Sequence, residues 1–138
     1  MSESKLYNML EEDHANVKEL LTKTVDNETD EHFQTIKEEL EAHMKGEEKY
    51  FYPEIEDQEK VTLLEAYEEH NLVKLVLKQM DERKTKDDKW FAKANVLKDL
   101  IEHHVEEEEE DIFSIAQENL SSTQENKIAE EIEAVKSK

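Results

Sequence analysis

WFAKANVLKDLIEHHVEEEEEDIFSI, residues 90–115, decides the architecture. Trp90, Ala94, Leu97 and Ile101 recur at three- and four-residue intervals, the period of one face of an α-helix. The stripe then steps onto His104 and Glu108 before returning to Ile115. Three more stretches follow the same design. Leu6, Leu10, Val17, Leu20, Leu21 and Val25 form a stripe over about residues 3–25. Phe33, Ile36, Leu40, Met44 and Phe51 form a second from about residue 30, with Pro53 marking its end or a kink. Leu63, Leu64, Tyr67, Val73, Leu77 and Met80 form a third from about residue 59. With short connectors, this predicts an all-α, antiparallel up-down four-helix bundle over residues 1–120. Ser121 and Ser122 then break the pattern, and Ser122 with Glu125 has capping-box spacing ahead of Ile128, Ile132 and Val135. A short fifth helix is expected within residues 121–138, lying on the bundle or extending from it.

Composition agrees and excludes alternatives. The 138 residues hold 38 acidic and 18 basic side chains, one Gly, one Pro and no Cys. So little turn punctuation does not suit a sandwich or barrel. High charge alone would also fit a disordered acidic chain, but the phased apolar stripes argue against it. A net charge of −20 repels phosphate backbones, so no nucleic-acid partner is expected. No stretch reaches membrane-spanning length and no leader-like segment opens the chain, so a cytoplasmic domain without a membrane partner is expected. The absence of Cys removes disulfides, zinc ribbons and thiolate clusters.

The informative residues are those that interrupt the stripes. Each helix places one His on its apolar face: His14, His43, His70 and His104. Glu47 and Glu108 follow the second and fourth at four residues, hence on the same face about 5–6 Å away at Cβ. The arrangement repeats: His14 to His43 spans 29 residues and His70 to His104 spans 34, and each HxxxE is followed by an aromatic nine residues after its His, Tyr52 and Phe113. Two helix hairpins related by a pseudo-twofold axis are expected, each giving one lone His and one HxxxE.

Burying two carboxylates side by side is costly, because each loses hydration and repels the other. A pair of divalent cations removes both problems, and imidazole with carboxylate suits iron, manganese or zinc. His32 is expected to be exposed at the start of the second helix. His103 with Glu107 is also HxxxE and is an alternate to His104 with Glu108, although stripe and repeat both select the latter. Lys74 and Lys18, each one turn after a lone His, are expected to snorkel outward. Tyr67 is read as core or as a neighbour of the site.

With these motifs in view, residues 5–118 resemble the hemerythrin-like, or HHE cation-binding, domain family. The resemblance rests on Asp13-His14, His43/Glu47-Glu48 with Tyr52-Pro53, Glu69-His70, and His104/Glu108-Glu109 with Phe113. It implies metal ligation by His14, His43, Glu47, His70, His104 and Glu108. It also implies a non-haem di-iron centre, oxo- or hydroxo-bridged, in which manganese or zinc could substitute. Lys74 stands where oxygen carriers of the family have a further His, and the fourth helix has Glu at +4 rather than Asp at +5. The chain thus looks like the H…HxxxE…H…HxxxE subgroup. The resemblance implies binding, sensing or reaction of O2, peroxide or NO rather than reversible O2 carriage. The alternative is an iron-responsive sensor, interaction module or iron-handling protein without turnover. The acidic surface leaves room for a redox partner protein that the sequence does not identify, and no residue is assigned a catalytic role.

Overall fold

The computed structural model describes residues 4–137. Helix α1 (Lys5–Asp26) starts on Ser4, whose Oγ accepts from the Leu6 amide. Helix α2 (Phe33–Gly46) runs through a π-helical segment (Glu47–Phe51) into the short α3 (Tyr52–Ile55). A 3-10 turn (Glu56–Gln58) leads to α4 (Lys60–Glu82). Helix α5 (Asp88–Glu107) passes through a second π-helical segment (Glu108–Ile112) into α6 (Phe113–Asn119), and α7 (Ser122–Lys136) follows. No strand occurs among the described residues.

The core comes in two apolar parts. Reading along α1, Leu6, Tyr7 and Leu10 belong to one and Val17 and Leu21 to the other. Along α2 and α3 the order reverses, from Phe33, Ile36, Leu40 and Met44 to Phe51, Tyr52 and Ile55. It reverses again on α4, and once more on α5 and α6. This alternation is the up-down-up-down bundle that the stripes predict. Between the two parts lie His14, His43, Glu47, His70, His104 and Glu108, all buried. Leu64 departs from its predicted stripe: one residue out of phase with fully buried Leu63, it is 46% exposed.

Two local features correct the sequence reading. Pro53 does not end the second helical rod. The π-helical segment ends at Phe51, two residues before it, and the chain stays α-helical to Ile55. In a regular α-helix, nine residues turn the chain about half a turn out of phase, so Tyr52 and Phe113 would face away from His43 and His104. Each π-helical segment takes up one extra residue and brings them inside. The Tyr52 amide bonds the Glu47 carbonyl, and the Phe113 amide bonds that of Glu108. Both segments therefore begin at the buried carboxylate.

The second correction concerns α7. Its capping box uses Ser121 and Gln124, one residue before the pair expected: the Gln124 amide donates to Ser121 Oγ at 3.1 Å, and the Ser121 amide to Gln124 Oε1 at 2.8 Å. This start turns Ile128, Ala129 and Ile132 into the core, while Glu125 accepts from the Tyr7 hydroxyl at 2.7 Å. Of the two placements expected for the fifth helix, it takes the one on the bundle.

Candidate metal centre

The fold brings all six predicted residues into one layer. The Nε2 atoms of His14 and His43 are 3.2 Å apart, and so are those of His70 and His104. Two ligands at right angles on bonds of about 2.1 Å would be separated by about 3 Å. The carboxylates lie between the two pairs. Glu47 turns Oε2 toward His43 Nε2 at 3.3 Å and Oε1 toward His70 Nε2 at 3.2 Å. Glu108 turns Oε1 toward His14 Nε2 at 3.8 Å and Oε2 toward His104 Nε2 at 2.9 Å. Each carboxylate thus presents one oxygen to each imidazole pair.

Every imidazole is oriented from behind by an acid on a neighbouring element. His14 Nδ1 donates to Glu109 at 2.8 Å, His43 Nδ1 to Asp13 at 3.0 Å, His70 Nδ1 to Glu48 at 2.7 Å, and His104 Nδ1 to Glu69 at 2.6 Å. This fixes the ring tautomer and points each Nε2 lone pair inward. The acid preceding each lone His holds the His of its own hairpin's HxxxE. The second Glu of each EE pair holds a lone His of the other hairpin. The four acids recur at matching offsets in the two halves, and that repeat was the available sequence signal for their role.

Tyr52 breaks the symmetry. Its hydroxyl lies 3.0 Å from Glu108 Oε2 and 3.2 Å from Glu47 Oε1, and 3.4 Å from Nε2 of both His70 and His104. Its phenol is held well above its ordinary pKa, first by burial and then by the charges of Glu108 and Glu47, so it stays protonated and donates. Phe113, the counterpart across the pseudo-twofold, lies parallel to the His14 ring with centroids 6.3 Å apart and offers no hydroxyl. Accordingly, Glu47 Oε2 and Glu108 Oε1, both on the His14/His43 side, are buried without a hydrogen-bond partner. A buried carboxylate oxygen without a hydrogen bond costs several kcal/mol, and a cation placed between it and the imidazoles would relieve that cost.

With protein groups alone, charge balance falls to protons. Burial opposes a charge on His43, but Glu47 and Asp13 hold it well above the ordinary imidazole range. Burial opposes a charge on His104 as well, yet its bonds to Glu108 and Glu69 carry it up to about 10. Burial pushes Glu108 up, and the charge of Glu47 adds to this. Burial also works against Glu47, but charged His43 beside it keeps it well below the usual carboxylate range. The added imidazole protons occupy the Nε2 positions that a cation would take. The donor set and the two orphaned oxygens fit cation binding.

The other marked residues lie outside this layer. His103 is 66% exposed and pairs with Glu107 at 3.1 Å. His32 is partly buried rather than fully exposed and lies beside Glu31. Lys74 does point outward and salt-bridges Glu48 at 3.0 Å. Tyr67 packs edge-on against Tyr52 at 5.3 Å. A small cavity of about 20 Å³ adjoins the imidazoles on the side away from Tyr52, walled by Val17, Leu40, Met44, Val73, Ile101 and Val105.

The family model described as the hemerythrin HHE cation-binding domain matches residues 5–116. The chain belongs to that family. The match includes all six central residues, their four supporting acids and Tyr52, and it ends before α7. The HHE domain also resembles a protein described as a DNA nickase from Nostoc sp. (strain PCC 7120), with 31% identity over 109 residues, 78% of this chain. The aligned part is 31% of that relative's length. No solved structure matches significantly. No helix of the described residues is long and apolar enough to cross a membrane.

Proposed function

We propose that this HHE domain is a non-haem di-iron protein that binds, senses or reacts with O2, peroxide or NO. The observation carrying the proposal is that Glu47 and Glu108 each divide their two oxygens between the His14/His43 and His70/His104 pairs. Each pair, with both carboxylates, would hold one iron. Donors of imidazole and carboxylate without thiolate favour iron, manganese or zinc, and bound iron would supply redox chemistry and affinity for small oxygen- or nitrogen-containing ligands.

The protein's own contribution is orientation and selection. The four acids behind the imidazoles keep every Nε2 turned inward. The adjoining cavity, about 20 Å³ with apolar walls, has room for a ligand about the size of water or a diatomic. Tyr52 holds a proton at its hydroxyl beside the His70/His104 half. The His14/His43 half, lined by Phe113 instead, is therefore the half we assign to exogenous ligands. Partners are then small molecules, not nucleic acid or membrane. The nickase activity named for the cyanobacterial relative is not carried over, since a chain of net charge −20 repels nucleic acid.

Metal analysis of protein loaded anaerobically with Fe(II) tests this, with absorption spectra before and after adding O2, peroxide or NO. The expected result is two irons per chain and a near-ultraviolet charge-transfer band that responds to at least one of the three. Two irons with spectra indifferent to all three would overturn the ligand reading and favour the iron-responsive alternative. A chain without iron would overturn the proposal.

A further inference from the structure

Helix α7 lies beyond the part of the chain that matches the family, yet it reaches the candidate metal centre. Ile132 packs over Gly46, the residue before Glu47, so closely that a Cβ on Gly46 would come within 3.1 Å of it. One turn further, Lys136 Nζ lies 2.6 Å from Asp13 Oδ1. The other oxygen of Asp13 accepts from His43 Nδ1 at 3.0 Å. The helix is tied down independently by Lys5–Glu133 at 2.7 Å and Tyr7–Glu125 at 2.7 Å.

We propose that Lys136 is a positioning residue for the His14/His43 half of the centre, acting on His43 through Asp13. The inference rests on the two-metal reading. Asp13 is only 16% exposed, and its two oxygens are engaged from opposite sides by an ammonium and an imidazole. Charge-assisted bonds at both ends hold the carboxylate in one rotamer. A fixed acceptor behind the ring in turn fixes the direction of His43 Nε2. Without the ammonium, Asp13 can turn toward solvent, and the ring loses its stop.

The other half has its own lysine: Glu48 accepts from His70 Nδ1 at 2.7 Å through one oxygen and from Lys74 Nζ at 3.0 Å through the other, so Lys136 serves the His14/His43 side alone. Glu69, which corresponds to Asp13 across the pseudo-twofold, bonds His104 through one oxygen, but its second oxygen faces His103 at 3.7 Å rather than a lysine. Removing the Lys136 ammonium should therefore loosen one cation and spare the other.

The test uses full-length protein loaded with zinc and measures its release to an excess of a chromogenic chelator. The variants are Lys136→Met, which keeps the apolar stem without charge, and Lys136→Arg, which restores a cation. In Lys136→Met, half of the bound zinc is expected to leave about tenfold faster, with the other half at the wild-type rate and circular dichroism unchanged. Lys136→Arg is expected to restore the slow rate. Release from Lys136→Met at the wild-type rate would overturn the proposal. Equal acceleration of both zinc ions, or no rescue by arginine, would also do so, because either result means general loosening. A wild-type chain that binds no zinc would overturn the two-metal reading first, and that failure is visible before any variant is compared.

Discussion

The two halves of the centre share a plan but differ in the aromatic ring that faces the carboxylates. On the His70/His104 side, a tyrosine hydroxyl lies within hydrogen-bonding distance of an oxygen from each carboxylate. On the His14/His43 side, the equivalent ring is Phe113, and the facing oxygens of Glu47 and Glu108 have no hydrogen-bond partner. The difference separates two jobs. The repeated His, Glu and supporting acids set where cations would bind, and the aromatic after each π-helical segment sets whether a hydroxyl faces the carboxylates.

The largest effect is expected where the halves are joined. Replacing Glu108 with Ala removes an oxygen from both, so both metals should be lost, with less than a tenth of the wild-type metal content by elemental analysis. Glu47→Ala should behave alike. His43→Ala touches one pair and should remove about half of the metal. If Glu108→Ala kept one full equivalent, the carboxylate would not be shared and the comparison would break.

Protons provide the next test. In metal-free protein the pKa of His104 is raised from 6.5 to about 10. The sign follows from linkage: a group whose pKa is raised by folding stabilises fully below its unfolded value, and that contribution is lost as pH rises through the folded value. His43 is raised as well and acts in the same direction. The melting temperature of metal-free protein should therefore fall between about pH 6.5 and 10, whereas metal affinity should rise as protons leave the ligands. A metal-free melting temperature that climbs across this interval would contradict the charge assignment.

Tyr52→Phe should make the halves alike. It leaves Glu47 Oε1 and Glu108 Oε2 without a hydroxyl donor, so metal-free protein should lose about 1–3 kcal/mol of stability in denaturant unfolding. Metal content should remain, and the loaded spectrum should change. An unchanged spectrum would mean that the hydroxyl does not distinguish the halves. Smallest of all, His103→Ala and His32→Ala should leave metal content unchanged, since neither ring joins the central layer.

The stripes made the four rods and the six central residues legible because burial imposes a helical period on each apolar face, and a His or Glu in phase with that face must also point inward. Tyr52 could not be placed this way. At nine residues after His43 it lies out of phase in a regular helix, and only the π-helical segment turns it inside. That segment is a backbone adjustment with little sequence mark beyond the repeated aromatic. The same limit applied to α7, whose capping box lies one residue before the Ser122/Glu125 spacing read from the sequence. The positions of Glu125 and Ile132 against the bundle distinguish the two registers, and such tertiary contacts leave no periodic signal.

The most direct measurement is anomalous diffraction at the iron edge from crystals of the loaded protein. Two peaks should lie between Glu47 and Glu108, one beside Nε2 of His14 and His43 and one beside Nε2 of His70 and His104. A single peak, or peaks confined to the surface around Glu69, His103 and Glu107, would contradict a paired centre divided between the two hairpins.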